Sequence, residues 1–96
     1  MMEREQITKI LKDNKLTLLS KYHLKSIAIF GSLTRKDFRN DSDIDILIEY
    51  DSPIGIEFID LAEELEHLLH RKVDLVSKNG IKPKYLEEIK KDLIYV

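Results

Sequence analysis

Three short apolar segments set the main constraint on how this chain can fold. Residues 25–30, 43–50 and 72–77 are rich in Ile, Leu and Val, and turn-forming or polar residues follow each of them. Segments of this length and composition are typical of buried β-strands. Longer segments with helical spacing lie between and around them. We therefore expect an α/β (α+β) protein in which helices cover one face of a small mixed β-sheet and leave the other face open for a site or a partner.

The helical segments are predicted from the spacing of apolar residues and from turn residues at their ends. The first covers residues 3–12, is interrupted at Asp13-Asn14 and continues as a second short helix to about Tyr22. A longer helix begins at Ser52-Pro53 and runs to about His70. Its predicted apolar stripe consists of Ile59, Leu61, Ala62, Leu65, Leu68 and Leu69.

The last part of the chain contributes a turn, a helix and an extended end. Asn79-Gly80 is predicted to form the turn after the third strand. Pro83 is expected to begin a final helix that runs to about Lys91. Residues 93–96 are expected to add a short extended segment.

Length and composition narrow the functional class. Ninety-six residues fit a single domain, 1–96. Sixteen Lys and Arg against eighteen Asp and Glu give a formal charge of −2, which argues against a dedicated nucleic-acid binder. The chain has no cysteine, so thiolate chemistry is excluded. Its apolar runs are too short for a membrane span or a signal peptide, and we expect a cytoplasmic protein without a membrane partner.

Acidic side chains occur in two of the predicted strands. Asp43 and Asp45 are two residues apart, so they leave the same face of a strand with Cα atoms about 6.6 Å apart. Asp74 lies between Val73 and Leu75 and faces the same point if the two strands are neighbours. Clustered carboxylates repel each other unless a cation neutralises them. An all-oxygen ligand set is typical of Mg²⁺ or Mn²⁺.

A glycine-serine pair directly follows the first strand. Gly31 permits a positive φ and a close approach of a ligand to the backbone. Backbone N–H groups and the Ser32 hydroxyl can donate to a phosphate there. Arg35 and Arg39 add positive charge nearby.

Each of these features also has a purely structural interpretation. Asp43 can cap a turn, Asp45 can face solvent on an alternating strand, and Asp74 can pair with a lysine. An isolated Asp-x-Asp or Gly-Ser pair is more often structural than functional. The combination, in which Gly31-Ser32 leads through ten residues into Asp43-Ile44-Asp45, is more informative than either pair alone.

This combination resembles the signature of the DNA polymerase beta-type nucleotidyltransferase superfamily. The stretch 30–48 is similar to the minimal nucleotidyltransferase (MNT) antitoxins of HEPN–MNT toxin–antitoxin pairs. The similarity extends through residues 73–76 to the helix that begins at Pro83. The chain differs from the family at Thr34-Arg35-Lys36, where Ala-Arg-Gly is usual.

The resemblance implies a polymerase beta-like fold and a specific reaction. Asp43 and Asp45 would hold two Mg²⁺ ions, and Asp74 would ligate one of them and help to deprotonate the acceptor. Gly31 and Ser32 would bind the β- and γ-phosphates of ATP, with Arg35 and Arg39 as auxiliary contacts. AMP would pass from ATP to a tyrosine of a HEPN RNase toxin, which this modification silences.

Two other functional hypotheses remain open from the sequence. The chain can be a binding-only antitoxin that neutralises the HEPN toxin by forming a complex without catalysis. Alternatively, it can transfer a nucleotide to RNA or to a small molecule. The lack of a basic excess weakens the RNA hypothesis, and the lack of a second domain weakens the small-molecule hypothesis.

Overall fold

The computed structural model describes residues 4–34, 43–52 and 55–96, without the side chain of Ile56. Within these residues no helix is both long enough and apolar enough to cross a membrane. The elements, in chain order, are helix α1 (Arg4–Tyr22), strand β1 (Leu24–Phe30), a 3-10 turn (Gly31–Thr34), strand β2 (Ile44–Tyr50), helix α2 (Ile56–Leu69), strand β3 (Val73–Ser77), a second 3-10 turn (Lys78–Gly80), helix α3 (Pro83–Lys90) and strand β4 (Ile94–Tyr95).

The strands form one mixed sheet in the order β3-β2-β1-β4. Strand β1 pairs antiparallel with both β2 and β4, whereas β2 and β3 are parallel. The parallel pair follows from the connection, because a helix between two neighbouring strands returns the chain to the same end of the sheet. The prediction of a small mixed sheet with helices is confirmed.

Helices α1 and α2 cover one face of the sheet. Alternate residues of β2, namely Ile44, Ile46 and Ile48, point into this layer and are fully buried. From the helices they meet Ile7, Leu11, Leu18, Leu61, Leu65 and Leu69. Burial of each such side chain contributes about 1.5–3 kcal/mol, so this layer is the main source of stability.

Helix α3 packs on the opposite face, which we had expected to be open. Ile89 of α3 contacts a second apolar cluster with Ala28, Phe30 and Leu47, and Leu86 packs against its edge. Leu86 and Ile89 are three residues apart, so they share one side of the short helix. The expectation of an uncovered second face was therefore wrong, and α3 covers part of it.

Helix α1 is continuous, although we expected Asp13-Asn14 to interrupt it. Leu11 and Leu18 are buried on either side of this pair, so packing on the sheet holds the helix together, and two side-chain hydrogen bonds accommodate the polar residues. Lys9 Nζ donates to Asp13 Oδ2 at 2.8 Å, and Asn14 Nδ2 donates to the carbonyl of Ile10, also at 2.8 Å. Both bonds span four residues, so these polar side chains support the helical backbone instead of competing with it.

Helix α2 begins later than expected, at Ile56, with Gly55 as its N-cap. Ser52 therefore lies before the helix and does not cap it, and Pro53 lies outside the described residues. The predicted apolar stripe is correct at Leu61, Leu65 and Leu69 but wrong at Ile59, which is 59% exposed. Because a helix turns by about 100° per residue, a position two residues before Leu61 faces away from the core.

Candidate active site

Asp45 and Asp74 are directly paired across the parallel strands β2 and β3. The side chain of Asp45 is half-buried and that of Asp74 is exposed. Paired residues project from the same face of a sheet, and here it is the face that carries Leu47 and α3. The predicted proximity of these two acidic positions therefore agrees with the strand register.

Asp43 is exposed and lies immediately before β2. The amide of the next residue, Ile44, donates to the carbonyl of Lys72 at 2.9 Å, which holds the start of β2 against the residue before β3. Because Asp43 is two positions from Asp45, strand alternation continued by one residue directs both side chains to one face. All three carboxylates therefore lie at the edge of the sheet where β2 and β3 begin.

The carboxylates do not form a closed ligand cage in this structure. Among residues 4–34, 43–52 and 55–96, no group of three His, Cys, Asp or Glu side chains is arranged so that it could hold a metal ion. The chemistry of the donor set nevertheless fits a hard divalent cation, because all the candidate ligands are carboxylate oxygens. Asp43 and Asp74 are exposed, so their side chains have room to change rotamer.

Gly31 lies directly against the carboxylate of Asp45. Its φ is +70°, and a Cβ added there would overlap the Asp45 carboxyl group, with Cγ only 3.0 Å away. The contact follows from the sheet register, because Phe30, the residue before Gly31, pairs with Asp45. The glycine is thus required both by the backbone conformation and by the space that Asp45 occupies.

The 3-10 turn that begins at Gly31 is held in place from both sides. Leu33 is only 1% exposed and is part of the core beneath the turn. Thr34 Oγ1 donates to the carbonyl of Gly31 at 2.9 Å. Ser32 is half-buried in this turn, next to the glycine that touches Asp45. The structure thus brings the Gly-Ser pair and Asp45 together, whereas Arg35 and Arg39 lie outside the described residues.

A shallow groove beside the carboxylates was not predicted from the sequence. It has a volume of about 310 Å³ and is lined by Leu75, Val76, Ser77, Gly80, Ile81 and Tyr85. We call it the β3 groove. Val76 and Ile81 had no predicted functional role. The available signal was that apolar residues directly follow Asp74 on the same strand.

The family profile described as "Polymerase beta, Nucleotidyltransferase" matches residues 5–96. This chain belongs to the polymerase beta nucleotidyltransferase family. The resemblance drawn from the Gly-Ser and Asp-x-Asp motifs is therefore confirmed, as is the prediction that the chain is a nucleotidyltransferase.

Named relatives match almost the whole chain of this nucleotidyltransferase. A protein of Methanocaldococcus jannaschii, named as a candidate protein adenylyltransferase, is 48% identical over 93 residues, which cover 95% of each chain. Protein adenylyltransferase MntA of Thermococcus cleftensis is 36% identical over 97 residues, which cover 100% of this chain and 98% of the relative.

Solved structures confirm the fold. A candidate minimal nucleotidyltransferase superposes with a TM-score of 0.83 at 28% identity, covering 99% of this chain and 97% of the other. A structure of the tri-AMPylated HEPN toxin of Shewanella oneidensis in complex with MNT antitoxin contains a chain that superposes with a TM-score of 0.63 at 25% identity. That match covers 96% of this chain and 66% of the other.

Proposed function

We propose that this nucleotidyltransferase is an antitoxin that transfers AMP from ATP to a tyrosine hydroxyl of a cognate HEPN RNase toxin and so neutralises it. The proposal treats residues 1–96 as one catalytic domain. Its main support is the strand register that pairs Asp45 with Asp74 while Gly31 lies against Asp45. The name of the Thermococcus relative and the composition of the Shewanella complex support the reaction and the partner.

Asp43, Asp45 and Asp74 are the residues proposed to hold two Mg²⁺ ions, or Mn²⁺ in their place. Asp43 and Asp45 would ligate both ions, and Asp74 would ligate one. Bound ions of this kind supply positive charge to phosphoryl oxygens and favour ionisation of a hydroxyl group. The exposed carboxylates of Asp43 and Asp74 can move toward such ions at little cost to the core.

Gly31 and Ser32 are proposed to bind the β- and γ-phosphates of ATP. The lack of a side chain at Gly31 leaves its backbone open to a ligand, and the Ser32 hydroxyl is a further donor. Arg35 and Arg39 are proposed as auxiliary phosphate contacts. A triphosphate bound by Gly31 and Ser32 would lie on the β1 side of Asp45.

Asp74 is proposed to accept the proton of the acceptor tyrosine. The tyrosine oxygen forms a bond to the α-phosphorus as the bond from that phosphorus to pyrophosphate breaks. A phenol is mostly protonated near neutral pH, because its usual pKa is about 10, so a nearby base is needed. The reaction depends on ATP, a metabolite of the cytoplasm, and the proposal keeps the cytoplasmic location expected from the sequence.

The experiment incubates the purified chain with ATP, Mg²⁺ and its HEPN partner and then measures the intact mass of the partner. We expect one or more AMP additions, together with loss of RNase activity. Asp43→Asn and Asp45→Asn should each abolish the mass increase. Glu49→Gln is the matched control, because Glu49 lies on β2 on the same face as Asp45 and undergoes the same change of charge.

The same assay separates catalysis from neutralisation by binding alone. A wild-type chain that leaves the partner's mass unchanged, although the toxin preparation is active, would contradict the proposed function. If the two Asp variants still silence the toxin through a stable complex, the binding-only hypothesis is supported instead.

A further inference from the structure

The β3 groove begins at Leu75 and Val76, directly after Asp74 on the same strand. Val76 follows Asp74 by two residues on β3, so the two side chains leave the same face about 6.6 Å apart. The register supports this placement, because Val76 pairs with Leu47 and both belong to the apolar cluster under α3. An apolar surface is therefore continuous with the proposed base, Asp74.

The order of the strands puts the Gly31-Ser32 turn and the β3 groove on opposite sides of the acidic pair Asp45 and Asp74. Gly31 and Ser32 follow β1, Asp45 is on β2, and Asp74 and the groove belong to β3, which is the edge strand of the described sheet. A triphosphate held by Gly31 and Ser32 thus lies on one side of the acidic pair. The β3 groove lies on the other side.

The geometry of phosphoryl transfer determines from which side of the site the acceptor approaches. The attacking oxygen and the leaving oxygen lie roughly in line on opposite sides of the phosphorus. If pyrophosphate leaves toward Gly31 and Ser32, the acceptor must approach from β3, past Asp74. We infer that the β3 groove is the acceptor subsite and that it receives the aromatic ring of the partner's tyrosine. This inference rests on the proposed function.

The lining of the groove fits an aromatic side chain. Val76 and Ile81 are half-buried and provide an apolar floor, and the ring of Tyr85 is 56% exposed and available for aromatic packing. A volume of about 310 Å³ is at the lower limit for small-molecule sites, which suits one ring better than a whole nucleoside.

Two lysines add positive charge close in sequence to the residues that line the groove. Lys82 and Lys84 flank the lining residues Ile81 and Tyr85 in sequence, and both are exposed. Neither forms an ion pair within the described part of the chain, so both are available for acidic groups that flank the acceptor tyrosine. The occupant is therefore a tyrosine-bearing segment of the partner with acidic neighbours.

The test introduces a large side chain at Gly80, a residue that lines the groove and has space around it. A Cβ added at Gly80 meets no atom within 4 Å, so Gly80→Phe can place a ring in the groove. Tyr85→Ala removes the exposed aromatic wall and takes little from the core. Ser20→Phe is the matched control, because it adds the same ring at an exposed position of α1, the helix on the opposite face of the sheet.

Steady-state AMP transfer is measured with the HEPN partner and with ATP, each varied separately. We expect the KM for the partner to rise about tenfold for Gly80→Phe and several-fold for Tyr85→Ala. The KM for ATP should be unchanged in both variants. Ser20→Phe should match the wild type in both constants. Circular dichroism of each variant establishes that it is folded.

Each alternative outcome has a distinct meaning. If the wild type transfers AMP but both groove variants keep the wild-type KM for the partner, the groove inference is overturned while the proposed function stands. A higher KM for ATP alone would place the nucleotide base in the groove and also overturn the inference.

A wild type without transfer contradicts the proposed function. Hydrogen exchange of residues 76–85 then tests whether the groove contacts the partner. Exchange that is unchanged when the partner binds overturns the groove inference, and protection of these residues supports it.

Discussion

The carboxyl group of Asp45 occupies the space that a side chain on Gly31 would fill. Two strands produce this contact, because Gly31 directly follows β1 at the point where Phe30 pairs with Asp45 on β2. The turn proposed to bind phosphate and a carboxylate proposed to bind metal are therefore fixed relative to each other. A side chain added at Gly31 must therefore displace the Asp45 carboxyl group.

Gly31→Ala should reduce both stability and activity. The added Cβ overlaps the Asp45 carboxyl group, and a φ of +70° is unfavourable for a residue with a side chain. We expect a loss of about 1–3 kcal/mol in the free energy of unfolding. We also expect a fall of about 100-fold in AMP transfer, as is typical when reacting groups are displaced by about 1 Å. Urea denaturation and the intact-mass assay measure these effects.

Gly55→Ala is the matched control for this substitution. A Cβ added at Gly55 meets no atom within 4 Å, and the residue lies at the start of α2. Its transfer rate should remain close to that of the wild type. Wild-type transfer by Gly31→Ala would show that the contact between Gly31 and Asp45 is unimportant for the reaction.

The sequence alone was sufficient for the relationships that depend on short-range geometry. The alternation of β2 placed Asp45 opposite to the buried Ile44 and Ile46, and Gly31 marked the end of β1. The pairing of Asp45 with Asp74 required that β2 and β3 be neighbours, which a strand-helix-strand order favours, and that they start at the same level of the sheet.

The errors arose where tertiary contacts or specific side-chain bonds decide the structure. Asp13 and Asn14 have low helix propensity, but the buried Leu11 and Leu18 on either side of them pack α1 against the sheet and keep the helix continuous. Helical spacing alone could not show on which face of the sheet α3 would pack. The β3 groove was missed for the same reason, because it combines β3 with Tyr85 of α3.

Asp74→Asn should stabilise the protein when no divalent cation is present. Asp45 and Asp74 are paired across two parallel strands, which lie about 4.8 Å apart, so their like charges repel each other. We expect the free energy of unfolding at pH 7 in a chelator to rise by about 0.5 kcal/mol, because the exposed Asp74 is well solvated. Urea denaturation at low and high salt measures this, and the gain should shrink at high salt because screening weakens the repulsion.

Glu49→Gln provides the comparison for this stability measurement. Glu49 Oε1 lies 3.8 Å from Lys78 Nζ, so its removal loses a favourable contact of opposite charges. The sign of its effect should therefore be opposite to that of Asp74→Asn, although small for a partly exposed pair. A destabilising effect of Asp74→Asn at low salt would contradict the expected repulsion between the two aspartates.

Mg²⁺ should stabilise the wild-type chain even without ATP or a partner. A ligand that binds only the folded state adds about 2.7 kcal/mol when its free concentration is 100 times its dissociation constant. We expect the melting temperature to rise with Mg²⁺ in the wild type, and the rise to be lost in Asp45→Asn. Differential scanning fluorimetry measures both. Equal shifts in the two proteins would place the Mg²⁺ effect outside the proposed site.

Glu64 should make the stability of the chain depend on pH. Its Oε1 accepts hydrogen bonds from Lys21 Nζ at 2.9 Å and from Tyr22 Oη at 2.6 Å, which link α2 to α1. These bonds hold the pKa of Glu64 below its ordinary value of 4.5, and the bond from Lys21 has the largest effect. A lowered pKa in the folded state contributes stability above the unfolded pKa, and this stability is lost as the pH falls through the folded pKa.

Glu64→Gln tests this contribution because glutamine resembles the protonated glutamate. At pH 7 the variant should be less stable than the wild type by about 0.5–1 kcal/mol, because solvent screens the pair with the exposed Lys21 and glutamine can still accept a hydrogen bond. The difference should shrink as the pH falls below the ordinary pKa of 4.5 and through the lower pKa of the folded state, where the wild-type carboxylate becomes protonated. Urea denaturation from pH 7 to pH 3 measures it, with Glu63→Gln at an exposed position of α2 as the control. A difference between Glu64→Gln and the wild type that stays constant over this range would show that ionisation of Glu64 does not stabilise the contact between α1 and α2.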